Sequence, residues 1–131
     1  KLVDNQAQAY TTDTMHRVNL KDSVDRKAFI TSYYNSLSFA FAEIVGRSYG
    51  GGVLELMPSE VEKILLPYNF ENKDLCTFID ERMRKKIDIN KILEYTNIKI
   101  LKDCFGFSTT EIKLANSIWH KLSRRRMNRK N

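Results

Sequence analysis

The sequence predicts an α+β fold that is mostly helical and carries a small sheet fragment. Apolar residues recur with helical spacing over most of the chain, and two capping-box patterns mark helix starts. Strand-like patterns are confined to two short segments. A chain of 131 residues is long enough for one domain with a buried core, so we expect residues 1–131 to fold as a single domain.

The first predicted element is a strand from Thr11 to Leu20, where polar and apolar side chains alternate loosely. Met15 and either Val18 or Leu20 are the candidates for its buried face. This strand either pairs with a second strand later in the chain or joins a sheet whose other strands precede Lys1.

A long helix is predicted next, capped by Ser23 or Asp25 and continuing to Val45. Its apolar residues cover nearly the whole circumference, which is typical of a central helix. Asn35 is therefore expected to be partly buried, and leaving its amide unpaired would cost about 1–3 kcal/mol. We expect Asn35 and Ser36 to fix the helix against a neighbouring loop rather than to bind a partner.

The segment that follows, residues 46–60, departs from this generic pattern because Arg47 and Tyr49 precede three consecutive glycines, Gly50 to Gly52. Glycines adopt φ values that other residues avoid, and they let a bulky partner such as a nucleotide approach the main chain. The glycine spacing fits neither a phosphate loop nor a dinucleotide fingerprint. The alternative is structural: Gly46 ends the helix, and a flexible turn leads into a strand from Val53 to Met57.

The second half of the chain is predicted to be helical. Ser59 and Glu62 have capping-box spacing, so a short helix should begin at Ser59 and stop before Pro67. Two further helices are expected at residues 75–86 and 89–101. Ser108 and Glu111 form the clearest helix start in the chain. One side of this last helix is expected to be buried, through Ile112, Ala115, Ile118, Trp119 and Leu122.

Positive charge is concentrated at the C-terminal end. Residues 1–107 hold fifteen basic and fifteen acidic residues, whereas residues 108–131 hold seven basic residues and one acid, Glu111. A basic helix end is placed to meet phosphates. The alternative is a solvated helix end whose Lys and Arg side chains interact favourably with the helix dipole.

The remaining composition excludes several classes of site. Cys76 and Cys104 lack paired spacing and have only His16 and His120 as possible co-ligands, so no metal site is expected. Isolated thiols fit a reducing cytoplasm. No apolar run approaches the roughly 20 residues needed to span a bilayer. No cluster of carboxylates with a Lys suggests a nuclease, and no catalytic residue is assigned.

The chain resembles a known family over the stretch from Tyr33 to about Tyr68. Residues 33–45, YYNSLSFAFAEIV, followed by residues 46–60, GRSYGGGVLELMPSE, are similar to the C-terminal part of adenine-specific DNA methyltransferases of bacterial restriction-modification systems. Residues 12–18, TDTMHRV, resemble a strand in those proteins, and residues 122–130 resemble their basic end. Residues 1–68 thus form the family-like part and residues 69–131 a helical basic part.

The resemblance implies a target recognition fragment of a larger enzyme. Members of the family bind S-adenosylmethionine and catalyse with Asn or Asp followed by Pro-Pro and an aromatic residue. This chain has only Pro58 and Pro67, so the catalytic tetrapeptide is absent, as is a recognisable methyl-donor loop. We expect the cofactor and the catalytic domain to belong to an upstream part of the parent protein, and the start at Lys1 supports a fragment.

Double-stranded DNA and that upstream catalytic domain are the expected partners. A flipped target base must be held by protein on both sides of the duplex, and a recognition domain supplies one side. Arg47 and Tyr49 are the first candidates for contact, and phosphates would also meet the arginines of the basic end. The full set of candidate DNA-contacting residues is His16, Arg17, Arg47, Ser48, Tyr49, Gly50, Gly51, Gly52, Arg124, Arg125, Arg126 and Arg129.

Two other classes stay open on the sequence. The chain could be a helical protein-interaction or scaffold module with a basic end. It could also be an RNA-binding domain, since a basic terminal helix does not distinguish RNA from DNA.

Overall fold

The computed structural model describes residues 1–12 and 15–129 and confirms a mostly helical α+β fold. Residues 1–12 and 15–25, which precede the first helix, contain turns but no helix or strand. The α-helices and strands are α1 (Arg26–Tyr33), α2 (Ser36–Val45), β1 (Arg47–Ser48), β2 (Leu54–Glu55), α3 (Pro58–Val61), α4 (Leu75–Arg84), α5 (Ile89–Thr96) and α6 (Thr109–Met127). Short 3-10 helices cover Gly50–Gly52 and Phe70–Asp74, and a π-helix covers Asn97–Cys104.

The predicted strand over residues 11–20 is wrong for the part of that range that the structure describes. Residues 11, 12 and 15–20 have no regular secondary structure and no strand pairing. Met15 and Val18 are exposed rather than buried. Loose alternation by itself does not make a strand, because a strand needs a hydrogen-bonded neighbour, and β2 is paired elsewhere.

The predicted single helix to Val45 is two helices, broken at Tyr34 and Asn35. Asp25 caps α1, its side chain accepting a hydrogen bond from the Ala28 N–H. Asn35 has extended φ and ψ, and its Oδ1 accepts from the Ser38 N–H at 2.9 Å, which makes it the N-cap of α2. Asn is among the preferred N-cap residues, and here that preference outweighs the continuous apolar pattern.

A buried polar network surrounds this break, so Asn35 and Ser36 are structural as expected, although Ser36 contacts two helices rather than a loop. Both residues are fully buried. Asn35 Nδ2 donates to the Ser32 carbonyl at 2.7 Å, and the Ser36 N–H donates to Asn97 Oδ1 at 2.8 Å. Ser36 Oγ also donates to Asn116 Oδ1 at 3.1 Å. The network thereby ties the start of α2 to the π-helix and to α6.

The second strand is confirmed in a shorter form, and its partner is adjacent in sequence. Leu54–Glu55 pairs antiparallel with Arg47–Ser48, in a two-stranded sheet within the described residues. The three glycines make the connecting turn. Residues 47–55 are called the glycine hairpin below.

The helices of the second half follow the predicted order with different limits. α3 begins at Pro58 rather than Ser59, because Glu60 closes a box on the Met57 N–H, and it lasts only four residues. The helix expected over residues 89–101 changes from α to π at Asn97 and continues to Cys104. α6 begins at the predicted cap, where Ser108 and Glu111 exchange hydrogen bonds.

The main core lies between α1, α4 and α5, with Ile30, Tyr34, Ile79 and Ile92 at its centre. α6 packs along α2, and the Phe39 and Trp119 rings meet edge to face at 5.3 Å. Ala115 is buried as predicted, whereas Ile118 is 38% exposed, contrary to expectation. None of the helices in residues 1–12 and 15–129 has the length and apolar content needed to cross a membrane.

Candidate nucleic-acid interface

The turn of the glycine hairpin contains two residues whose backbone angles favour glycine. Gly51 and Gly52 have φ of 72° and 77°, in the left-handed region that glycine favours. The Tyr49 N–H donates to the Val53 carbonyl at 3.0 Å and closes the turn. A Cβ on Gly52 would lie 2.8 Å from Met127 Sδ, whereas a Cβ on Gly51 would meet open space. One side of the turn therefore faces α6 and the other faces solvent.

Gly46 lies at the junction of α2 and the hairpin, in the tightest packing of the segment. A Cβ there would lie 2.8 Å from both the Ala42 carbonyl oxygen and Leu54 Cδ1, and 2.9 Å from Leu56 Cδ2. Its backbone has ordinary negative φ. The absence of a side chain, not an unusual φ, is what this position requires.

Arg126 joins the hairpin to both α2 and α6. Its Nη2 and Nε donate to the two carboxylate oxygens of Glu43 at 2.7 and 2.9 Å, in a bidentate pair whose side chains are 16% and 5% exposed. Its Nη1 also donates to the Gly52 carbonyl. The Glu43 carboxylate raises the pKa of Arg126. The charge of Arg126 is thus largely neutralised within the fold.

Arg129 makes a second link between the basic end and the hairpin. Its Nη1 donates to the Ser48 carbonyl at 3.0 Å. A single bond to a neutral carbonyl leaves its positive charge uncompensated, and the residue is exposed. Arg129 therefore positions the hairpin and still presents a cation at the surface.

Arg124 and Arg125 are the open cations of the basic end. Both are exposed, and neither donates a side-chain hydrogen bond to any residue that the structure describes. They lie on different sides of α6. Arg124 lines a shallow groove of about 320 Å³ with Ser117, His120 and Lys121. Lys130, the remaining basic residue of this end, lies outside the described residues.

Arg125 belongs to a larger groove between α6 and the hairpin. This groove has a volume of about 530 Å³ and is lined by Glu43, Ser48, Leu122, Arg125, Arg126 and Arg129. We call it the hairpin groove. Four of the residues that the sequence predicts to contact DNA line this groove. They come from two segments that are more than 70 positions apart.

Arg47 and Tyr49 lie at the outer edge of the hairpin. Arg47 Nε donates to Glu60 Oε1 at 2.7 Å, with the arginine side chain 56% exposed. The Met57 N–H and the Arg47 guanidinium both hold the pKa of Glu60 below its usual value. Water and salt screen the exposed guanidinium, so this pair is weak and Arg47 can exchange Glu60 for another anion. Tyr49 is 47% exposed.

His16 and Arg17 lie on the N-terminal segment. His16 Nε2 is 2.6 Å from the Leu56 carbonyl, which can only accept, so Nε2 carries the hydrogen in this contact. Arg17 Nε donates to Thr11 Oγ1 at 3.1 Å. These contacts bring His16 close to the strand β2 side of the hairpin, whereas Arg17 binds back onto its own segment.

Sequence patterns did not single out the residues that organise this surface. Glu43 is one acid in an apolar helix, and Met127 follows three arginines without an apparent role. Their importance arises from contacts over more than 70 residues of sequence, which no local pattern reveals. Within the described residues, no group of three or more His, Cys, Asp or Glu side chains is placed to hold a metal ion.

Comparison with known proteins gives one finding. A family model described as "Type II methyltransferase M.Eco57I, C-terminal domain" matches residues 1–101. The match contains the glycine hairpin and stops before α6. No curated protein and no solved structure gives a significant match.

Proposed function

The chain belongs to the family of the C-terminal domain of the type II methyltransferase M.Eco57I, and from this premise we propose that it is a target recognition domain that binds duplex DNA. The observation that carries the proposal is the joining of the family-matched hairpin to the basic end of α6 through Arg126 and Arg129. The two parts form one continuous surface with exposed cations.

The proposed role of this surface is to hold the duplex while a base is extruded. Arg124, Arg125 and Arg129 contact phosphates, which fixes the position of the domain on DNA without reading sequence. Tyr49 and Arg47 belong to the same hairpin as Gly51, whose open side leaves the main chain accessible to a nucleotide. Arg126 maintains the surface through Glu43 rather than meeting DNA.

The chemistry is assigned to the parent protein. An upstream catalytic domain would bind S-adenosylmethionine and transfer its methyl group to an adenine that has left the helix, and the cell compartment would be the cytoplasm. The duplex cannot release its base into that site unless protein holds the flanking strands, because extrusion costs a few kcal/mol of stacking and pairing. The present chain supplies that holding surface.

Exposed apolar side chains nearer the start of α6 favour a contact with the catalytic domain. Leu114 is 60% exposed and Ile118 is 38% exposed, close to the groove of Ser117 and Lys121 in sequence. A helix face of this kind is suited to docking on another protein surface. A protein-interaction role is thus compatible with DNA binding, and it is the remaining role if DNA binding fails.

Fluorescence anisotropy with a labelled DNA duplex tests the proposal at two salt concentrations, with a matched RNA duplex as competitor. We expect binding that weakens steeply with salt and is not displaced by equimolar RNA. The Arg124→Ala/Arg125→Ala variant should bind more weakly, whereas Lys85→Ala/Lys86→Ala, which removes the same charge from the end of α4, should bind like the wild type. No binding at low salt would refute DNA recognition by this chain, and preference for RNA would indicate the RNA-binding class.

A further inference from the structure

The hairpin groove has the features of a site for a single anion. Its lining residues come from α2, the glycine hairpin and α6, which the Arg126 hydrogen bonds hold together. Its volume of about 530 Å³ greatly exceeds the roughly 30 Å³ that a water molecule occupies in the liquid. A larger polar group therefore has room to enter.

The charges that line the groove favour an anion. Glu43 is neutralised by its bidentate pair with Arg126. Arg129 donates one N–H to the Ser48 carbonyl, and Arg125 has no side-chain hydrogen bond among the described residues. Two positive charges remain with unused N–H donors. The last carbonyls of α6 oppose an anion through the helix dipole, but that effect is equivalent to only about half a charge.

Ser48 provides a second, independent indication. Its Oγ is buried and has no hydrogen-bond partner among the described residues, and Ser48 is one of the residues that line the groove. A buried hydroxyl without a partner costs about 1–3 kcal/mol, so such a group is normally satisfied by a ligand or water. Its neighbours Arg125 and Arg129 can only donate, so an acceptor between them satisfies all three side chains.

We propose that the hairpin groove binds one backbone phosphate of duplex DNA, held by Arg125, Arg129 and the Ser48 hydroxyl. This inference rests on the proposed function and identifies where the phosphate enters. The groove of Arg124 and Lys121 is a weaker candidate, because its four lining residues all belong to α6. Arg124 and Lys121 can contact phosphates at the surface of the duplex without forming a defined pocket for one of them.

Titration of the ¹⁵N-labelled protein with inorganic phosphate, at constant ionic strength, tests the site by NMR. We expect the amide resonances of Ser48 and of residues 125–129 to shift in the wild type. Arg125→Ala and Ser48→Ala should lose most of these shifts, whereas Arg124→Ala, which removes the same charge from the other face, should retain them. Equal loss in Arg124→Ala and Arg125→Ala, or shifts spread over all basic residues, would overturn the proposal.

Duplex binding by the same variants separates this inference from the proposed function. The slope of log affinity against log salt should fall by about 1 in Arg125→Ala, the value for one lost phosphate contact. If the wild type binds DNA and only Arg124→Ala or Lys121→Ala reduces the slope, the groove assignment is wrong and DNA recognition stands. If phosphate shifts the groove resonances but no duplex binds, both the DNA assignment and the proposed function are refuted.

Discussion

At the scale of single residues, the arginines of the basic end differ in whether their charge is paired within the fold or can bind a ligand. Arg126 is paired inside the fold, Arg129 has one bond to the hairpin, and Arg124 and Arg125 are open. The net charge of the chain does not distinguish paired arginines from unpaired ones. Their different surroundings predict different consequences of mutation, on stability for Arg126 and on binding for the open pair.

Arg126→Ala should destabilise the domain by about 2 kcal/mol or more, because it leaves the nearly buried Glu43 carboxylate without its partner. Arg124→Ala should change stability by less than about 0.5 kcal/mol, as exposed substitutions usually do. Urea denaturation followed by circular dichroism measures both. Adding Glu43→Gln to Arg126→Ala should recover part of the loss, and equal stability of the two single variants would contradict the structural role.

Gly46→Ala should cost about 1–3 kcal/mol, because the new methyl group overlaps the Ala42 carbonyl and two packed leucine side chains. Gly51→Asn should cost less, because nothing lies within 4 Å of its Cβ and Asn bears the strain of a positive φ better than most residues. Thermal unfolding of the two variants provides the comparison. A larger loss of stability in Gly51→Asn than in Gly46→Ala would show that the stability of this segment depends more on the turn than on the packing around Gly46.

At the scale of elements, the sequence predicts the start of α6 but not the strand pairing of the hairpin. The α6 cap was predictable because Ser108 and Glu111 lie three positions apart and interact locally. The break at Asn35 carries a local N-cap residue too, but the surrounding apolar run favoured continuity. The register of β1 with β2 depends on the turn at Gly51 and Gly52. The alternating pattern of residues 11–20 predicted a strand, but it could not show that β2 pairs with β1 instead.

Acid should destabilise the helix starts. The Ser108 hydroxyl and N–H lower the pKa of Glu111, so its folded value lies below the unfolded value near 4.3. A group with a depressed folded pKa contributes stability that is present above its unfolded pKa and is lost as pH falls through its folded pKa. We expect the melting temperature to decrease when the pH is lowered below about 4.5.

Glu111→Gln tests the source of this loss, because Gln can keep the capping geometry but does not titrate. The variant should lose less stability than the wild type between pH 5.5 and pH 3, as measured by thermal unfolding across that range. Glu81→Gln, at an exposed position of α4 where it leaves the cap untouched, is the control. Identical pH profiles for all three proteins would exclude the α6 cap as a contributor.

At the scale of the whole molecule, the surface is composite and could be predicted only in part. The sequence indicated that residues 47–52 and the C-terminal arginines matter, but not that they meet. Arg126 reaches Glu43 across 83 residues, and Asn97 reaches Ser36 across 61. Such pairings depend on how α2 and α6 pack, which helical periodicity does not specify. The family match ends at residue 101, so α6 adds its cations from outside the matched region.

We propose that the glycine hairpin and the end of α6 act together as one DNA-binding surface. The most direct test is NMR mapping of a DNA duplex on the ¹⁵N-labelled chain. We predict that resonances of residues 47–55 and 121–129 shift together, with the same apparent affinity, while those of α4 and α5 do not. Shifts confined to the basic end, or centred on the α4 and α5 surface, would contradict the account.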